Sequence, residues 1–258
     1  MTYKFLTLDI EDRLAVVCLN RPGARNALSQ ALMRELISCA RELGEHSDID
    51  VVILTGTDVC FSAGADLGDA NAWADASLPL MQRRDLASLG FKLCKVWEEM
   101  PQITIAAVEG YAIGGGLALS LACDWRVAAA DAFVSLPEIA LGLPLTWGTI
   151  PRLTNLLGPA KAKRLTILCE RFLAPEAHAL GLIDFLAPQG QALAKAREVA
   201  AQTLAKPSTA VRMSKESVNA IATALNYAAG YMAHDQIALA AASEESRTAR
   251  AAAIKPKP

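Results

Sequence analysis

Apolar and polar positions give the chain two textures. Up to about residue 148, short β-branched or apolar runs alternate with segments of helical period, and beyond it alanine-rich helical patterns dominate. Residues 3–8 and 14–19 (YKFLTL, LAVVCL) flank the polar stretch IEDR and predict an opening hairpin. Ser29 fits the N-cap of a helix reaching about Leu43, with Ala31, Leu32, Leu36 and Ile37 on one face. Residues 50–56 (DVVILTG) predict a strand, and 57–68 the loop after it. Residues 69–84 mix Trp73, Pro79, Met81 and charges without a period, so they predict a lid or insertion loop; 86–100 predict one helix.

Residues 103–123 join a β-branched run (ITIAAVEG) through YAIGGG to an apolar helical segment (LALSLAC), placing three glycines where a strand hands over to a helix. Strands are predicted at 125–130, 133–136 and 182–186, and helices at 160–168, 175–180, 191–204, 209–222 and 227–252. Strands alternating with helices argue for an α/β sheet of crossover units, followed by a helical C-terminal third suited to packing on a neighbouring subunit.

With 258 residues, 53% apolar and 20% charged, the chain forms one large domain or one domain with a small appendage. Its net charge of −2 and lack of a basic block exclude nucleic-acid and membrane-surface binding as expected functions. Six scattered cysteines, with no CxxC pair, read as free thiols rather than disulfides or metal ligands. The acidic N-terminus is unlike a signal peptide, so the expected location is cytoplasmic. Residues 103–123 are long enough to span a membrane, but Glu109 and four glycines interrupt them; a buried strand plus a buried helix is the expectation.

The chain has no GxSxG, HExxH or GxxxxGK[ST] pattern, and Gly114-Gly115-Gly116 lacks the third glycine position of a dinucleotide fingerprint. His46, His178 and His234 sit in unrelated helical contexts and read as surface or packing residues. Two glycine turns remain, Ser62-Ala63-Gly64-Ala65-Asp66 and Gly114-Gly115-Gly116, each following an apolar strand. Backbone N–H groups in such turns lack partners, and two of them converging make an oxyanion hole.

These motifs, together with Asn20-Arg21-Pro22, Arg25-Asn26-Ala27-Leu28, Phe61 to Leu67, Gly110 to Gly116, Ala122-Cys123-Asp124, Pro137-Glu138 with Leu141-Gly142, and Ala177 with Gly181 to Asp184, run in order along the chain. The chain resembles the crotonase, or enoyl-CoA hydratase/isomerase, family. The resemblance implies a core of repeated ββα units over 1–195, a helical C-terminal region over 196–258 used in trimerisation, and a homo-oligomer, either a trimer or a dimer of trimers. It implies an acyl-CoA thioester as substrate, with coenzyme A entering as part of that substrate, and no permanently bound cofactor or metal. It assigns the oxyanion donors to the N–H groups of Ala65 and Gly115, and coenzyme A contacts to Arg25, Ala27, Ala63, Ala65, Asp66, Leu67 and Gly68. Gly114 is expected at the acyl pocket, and Trp147, a departure from the family pattern, reads either as lining that pocket or as a plain core tryptophan.

A typical hydratase of this family carries two glutamates, one two residues past the third glycine and one in the Pro-Glu motif. The first position is Ala118 here, which leaves Glu138 alone as the acid/base. One carboxylate can remove an α-proton and return it at the γ-carbon, so double-bond isomerisation is expected ahead of hydration by a single glutamate. A crotonase-like protein that binds acyl-CoA without turnover is the rival from another class. In residues 143–152 (LPLTWGTIPR), Trp147 replaces small residues, and Thr146 and Thr149 could position a water.

Overall fold

The computed structural model describes residues 3–69, 75, 77–224, 226, 230 and 233–254. Strands β1 (Leu6–Glu11) and β2 (Leu14–Leu19) form the opening hairpin, antiparallel and in register from Leu6 opposite Leu19 to Glu11 opposite Leu14. The turn is shorter than IEDR implied. Ile10 and Glu11 continue the ladder on an edge strand with an exposed face, and Asp12 takes φ +54°, the left-handed conformation a two-residue hairpin needs.

From β2 the sheet continues in parallel through β3 (Val51–Thr55), β4 (Ile103–Val108), β6 (Trp125–Ala129) and β9 (Phe185–Ala187). Every residue of β3 and β4 is buried, as the unbroken apolar runs require when both faces of a sheet are covered. A smaller sheet has β7 (Phe133–Ser135) at its centre, parallel to β5 (Tyr111–Ile113) on one side and antiparallel to β8 (Arg171–Leu173) on the other.

Helix α1 (Gln30–Glu45) begins where expected: the Ser29 hydroxyl accepts the N–H of Leu32 at 3.2 Å, and Leu32, Leu36, Cys39, Ala40 and Leu43 are buried. The helix expected at 86–100 is two, α2 (Leu80–Ala87) and α3 (Leu89–Glu98), broken at Ser88; α2 also occupies the end of the stretch expected to be loop. The expectation for 70–74 and 76 lies outside the described residues. Helix α4 (Gly115–Ser120) follows β5 directly.

The C-terminal part holds α5 (Thr149–Leu157), which sequence periodicity missed, then α6 (Pro159–Ile167), α7 (Ala174–Leu180), α8 (Ala192–Leu204) and α9 (Ser208–Ala222). The single helix expected over 227–252 is, in its described part, α10 (Ala233–Ala241) and α11 (Glu244–Ile254). The strand expected at 182–186 is shifted to 185–187, because Leu182 and Ile183 bond back to Ala177 at the end of α7. Helix α8 packs on β3, β4, β6 and β9, while α10 lies on α2 and α11 against the turn after Glu138. All six cysteines are free, and no described helix is long and apolar enough to cross a membrane.

Lys215 of α9 ties the helical region to the sheet. Its buried ammonium donates to Asp124 Oδ2 at 2.6 Å and to the Gln102 carbonyl at 2.7 Å, while the same carboxylate oxygen accepts from the Thr104 N–H and hydroxyl. Removing one partner of such a pair strands the other charge. Lys215→Met is expected to lower the unfolding free energy by about 3 kcal/mol in a urea titration; a change under about 0.5 kcal/mol, the size of an exposed pair, would contradict this account.

Candidate active site

The site forms where two loops meet. After β3, residues 60–66 run beside the start of β5: the N–H of Phe61 donates to the carbonyls of Glu109 and Tyr111, and the Ile113 N–H donates to the Ser62 carbonyl. On the other side the segment 25–28 is laced to the same loop. Both Arg25 and Asn26 adopt φ +52°. The Ala63 N–H donates to the Arg25 carbonyl at 3.0 Å, the Leu28 N–H to the Gly64 carbonyl at 2.7 Å, and buried Asn26 donates to the carbonyls of Cys60 and Phe61. The Ser62 hydroxyl donates to the Asn26 carbonyl and accepts the Gly64 N–H. The two segments expected to hold coenzyme A are therefore one rigid assembly.

Asp66 is anchored within it. Its carboxylate pairs with Arg21 at 2.6 Å and accepts the Gly68 N–H at 3.1 Å, while Arg21 also donates to the Ala27 carbonyl. Leu67 is half exposed at the rim.

Gly64 and Gly114 bring the two turns together. Gly64 has φ +92°, and a Cβ there would lie 2.7 Å from the Ile113 carbonyl oxygen and 3.4 Å from the Gly115 nitrogen. Gly114 has φ +52° with ψ −119°, a conformation only glycine takes readily. Ala65 pairs with Leu28 through its neighbours, Gly64 as acceptor and Asp66 as donor, which leaves the Ala65 N–H outside that bridge. Gly115 is the first residue of α4, where N–H groups have no intrahelical partner. A Cβ on Gly115 would lie 3.3 Å from the Ala65 nitrogen, so the two donors are neighbours.

Glu138 approaches from the third side. It precedes a short 3-10 turn, Ile139–Leu141, closed by left-handed Gly142; its own carbonyl accepts the N–H groups of Leu141 and Leu143. Its Oε1 lies 2.7 Å from where a Gly114 Cβ would be. Its Oε2 is enclosed and has no hydrogen-bond partner among the described residues, although the residue as a whole is half-buried. Desolvation pushes the carboxyl up to about 7, opposed weakly by a bond to its own backbone N–H.

The described lining of the adjoining cavity includes Ala65, Gly115, Ala118, Glu138, Thr146, Trp147 and Thr149, with apolar side chains beyond. Glu138 is its sole ionisable group among the described residues. Ala118, at the position of the absent second glutamate, lines it too. The Thr149 hydroxyl donates to the Thr146 carbonyl at 2.8 Å rather than standing free. Sequence reasoning missed the Arg152–Glu98 pair, in which the remaining guanidinium nitrogen, Nη1, donates to the Trp147 carbonyl at 2.8 Å, and Ile237 of α10 on the cavity wall. The available signal was the Trp-Gly dipeptide, which adopts φ +59° and +71° and needs an external clamp.

A larger cavity of about 900 Å³ opens elsewhere, over Leu121, Trp125, Phe185, Val199, Val211 and Val218. Its described lining has Glu98 and Arg152 but none of Ala65, Gly115, Ala118, Glu138 and Trp147, so size alone does not locate the chemistry.

The family model for enoyl-CoA hydratase/isomerase matches residues 9–253. The chain is 34% identical over 220 residues to a crotonyl-CoA hydratase of Syntrophomonas wolfei, covering 85% of this chain and 83% of that protein. It is 38% identical over 219 residues to a probable enoyl-CoA hydratase of Mycobacterium tuberculosis, covering 85% and 82%. Among solved structures it is similar to OdaA of Pseudomonas aeruginosa, with a TM-score of 0.87, 28% identity, and coverage of 98% of this chain and 100% of that one. A match across nearly the whole chain, at these identities and on this fold, places the chain in the enoyl-CoA hydratase/isomerase family.

Proposed function

We propose that the protein isomerises the double bond of an enoyl-CoA thioester through an enolate, with Glu138 as the one acid/base and the N–H groups of Ala65 and Gly115 as the oxyanion hole. The observation that carries this reading is that Glu138 is the sole ionisable side chain among the described cavity residues, with Ala118 where hydratases of this family place a second carboxylate.

The reaction is written on a 3-enoyl thioester. Glu138 takes a proton from C2, the C–H electron pair forms the dienolate, and negative charge builds on the thioester oxygen. Donors fixed by the backbone at that oxygen are worth several kcal/mol, because they need no reorganisation as charge develops. Protonated Glu138 then returns the proton to C4, leaving the double bond between C2 and C3. One carboxylate serves both steps when both carbons present the same face to it. Hydration requires a water to be held and activated, a task two carboxylates share in the hydratases this chain resembles. Hydration by Glu138 alone is the second reading, supported by the names of the relatives.

A carboxyl lifted to about 7 sets the pH dependence. The base form must be present in the free enzyme, so kcat/KM for isomerisation is expected to rise tenfold per unit below about pH 7 and level off above it. A profile flat from pH 5 to 9 would contradict Glu138 as the base.

A further inference from the structure

We infer that Trp147 sets acyl-chain specificity: its indole, wedged between Gly90 of α3 and Gly115 of α4, closes the acyl pocket so that it takes a short, uncharged acyl group. This rests on the acyl-CoA reading above and names the substrate class for it.

The wedge is built from both sides. A Cβ on Gly90 would lie 1.9 Å from Trp147 Cε2 and 2.1 Å from Nε1, and a Cβ on Gly115 would lie 2.5 Å from Cζ3. Only glycines at both positions admit the ring, one on the helix lining the pocket and one at the oxyanion donor itself. The backbone is fixed as firmly. Trp147 and Gly148 are both left-handed, the Trp147 carbonyl accepts from Arg152, and Arg152 makes a two-pronged bond to Glu98 at 2.8 and 2.7 Å. The ring therefore has no easy path out of the cavity.

The space left is about 100 Å³. That is about a ninth of the larger cavity described above, a small space whose length is limited by the indole. Its lining includes Met33, Leu86, Leu145 and Ile237, and no lysine or arginine is among its described residues. A second carboxylate on the acyl chain would lie there unpaired beside Glu138, which such an environment penalises heavily.

The test is titration calorimetry of the full-length protein with saturated butyryl-, hexanoyl- and decanoyl-CoA, which read binding without turnover. The native protein is expected to bind butyryl-CoA at least about tenfold more tightly than decanoyl-CoA, and Trp147→Ala to reduce that ratio by about tenfold or more. Gly90→Ala should weaken butyryl-CoA binding about tenfold by displacing the ring, and adding Trp147→Ala to it should restore binding, since the new methyl then occupies vacated space. Equal native affinity for the three thioesters, an unchanged ratio in Trp147→Ala, or a double variant no better than Gly90→Ala would overturn the proposal. Native protein that binds none of them overturns the acyl-CoA reading itself, and the wedge with it.

Discussion

Glu138→Gln is expected to lower kcat for isomerisation by about 10³-fold or more, the upper part of the range for a positioned acid/base, while leaving affinity for a saturated acyl-CoA within about threefold. The amide fills the same volume and cannot take the α-proton. The same substitution is expected to stabilise the fold at alkaline pH. Glu138 has its carboxyl raised from 4.5 to about 7 in the folded chain, so the folded state favours the proton. Its stabilising contribution is complete below about pH 4.5 and is lost as pH rises through about 7. At pH 8 the burial of the ionised group costs about 3 kcal/mol. Urea unfolding of the native and Glu138→Gln proteins at pH 8 and pH 5 checks this: the variant should be the more stable at pH 8, with the gap closing towards pH 5. A gap that widens as pH falls would reverse the sign and refute desolvation as the cause.

The second large effect belongs to a residue that touches no reacting atom. Gly64→Ala is expected to reduce kcat by about 10² to 10³-fold, the cost of losing one oxyanion donor. The methyl would lie 2.7 Å from the Ile113 carbonyl oxygen, a backbone atom that cannot swing aside, and 3.4 Å from the Gly115 nitrogen, on a backbone at φ +92°. Relief of that strain separates the Ala65 and Gly115 turns. Kinetics at saturating substrate, paired with thermal melting, distinguish the two consequences. A folded variant with unchanged kcat would show that these two N–H groups are not the oxyanion donors.

Much of this was legible because the relevant residues answer to local rules. Ser29 caps a helix by its own hydroxyl, the VVILT and ITIAAV runs can only be buried strands, and three glycines between a strand and a helix mark a close backbone approach. The place of Glu138 beside the glycine turns was legible from the motif, but its raised affinity for a proton was not, since that depends on walls contributed by α2, α4, α10 and the loop 143–147. The break at Ser88 escaped because both flanking segments are helical. Helix α5 escaped because Pro151 sits within it, yet a proline in the first turn of a helix costs nothing. Trp147 was legible as a departure from small residues. Its place at the acyl pocket was among the readings offered; the seating of its indole was not, because Gly90 and Gly115, which admit the ring, stand 57 and 32 residues away in the sequence.

The fate of oxygen tests the central claim most directly. The native protein is incubated with a short 3-enoyl-CoA, and separately with the 2-enoyl isomer, in H₂¹⁸O, and the products are resolved by mass spectrometry. The account predicts interconversion of the two enoyl thioesters with no ¹⁸O incorporated and no 3-hydroxyacyl product during early turnovers, all of it abolished in Glu138→Gln. Rapid formation of ¹⁸O-labelled 3-hydroxyacyl-CoA, at roughly 10 per second or more, would contradict it and identify the single glutamate as sufficient for hydration.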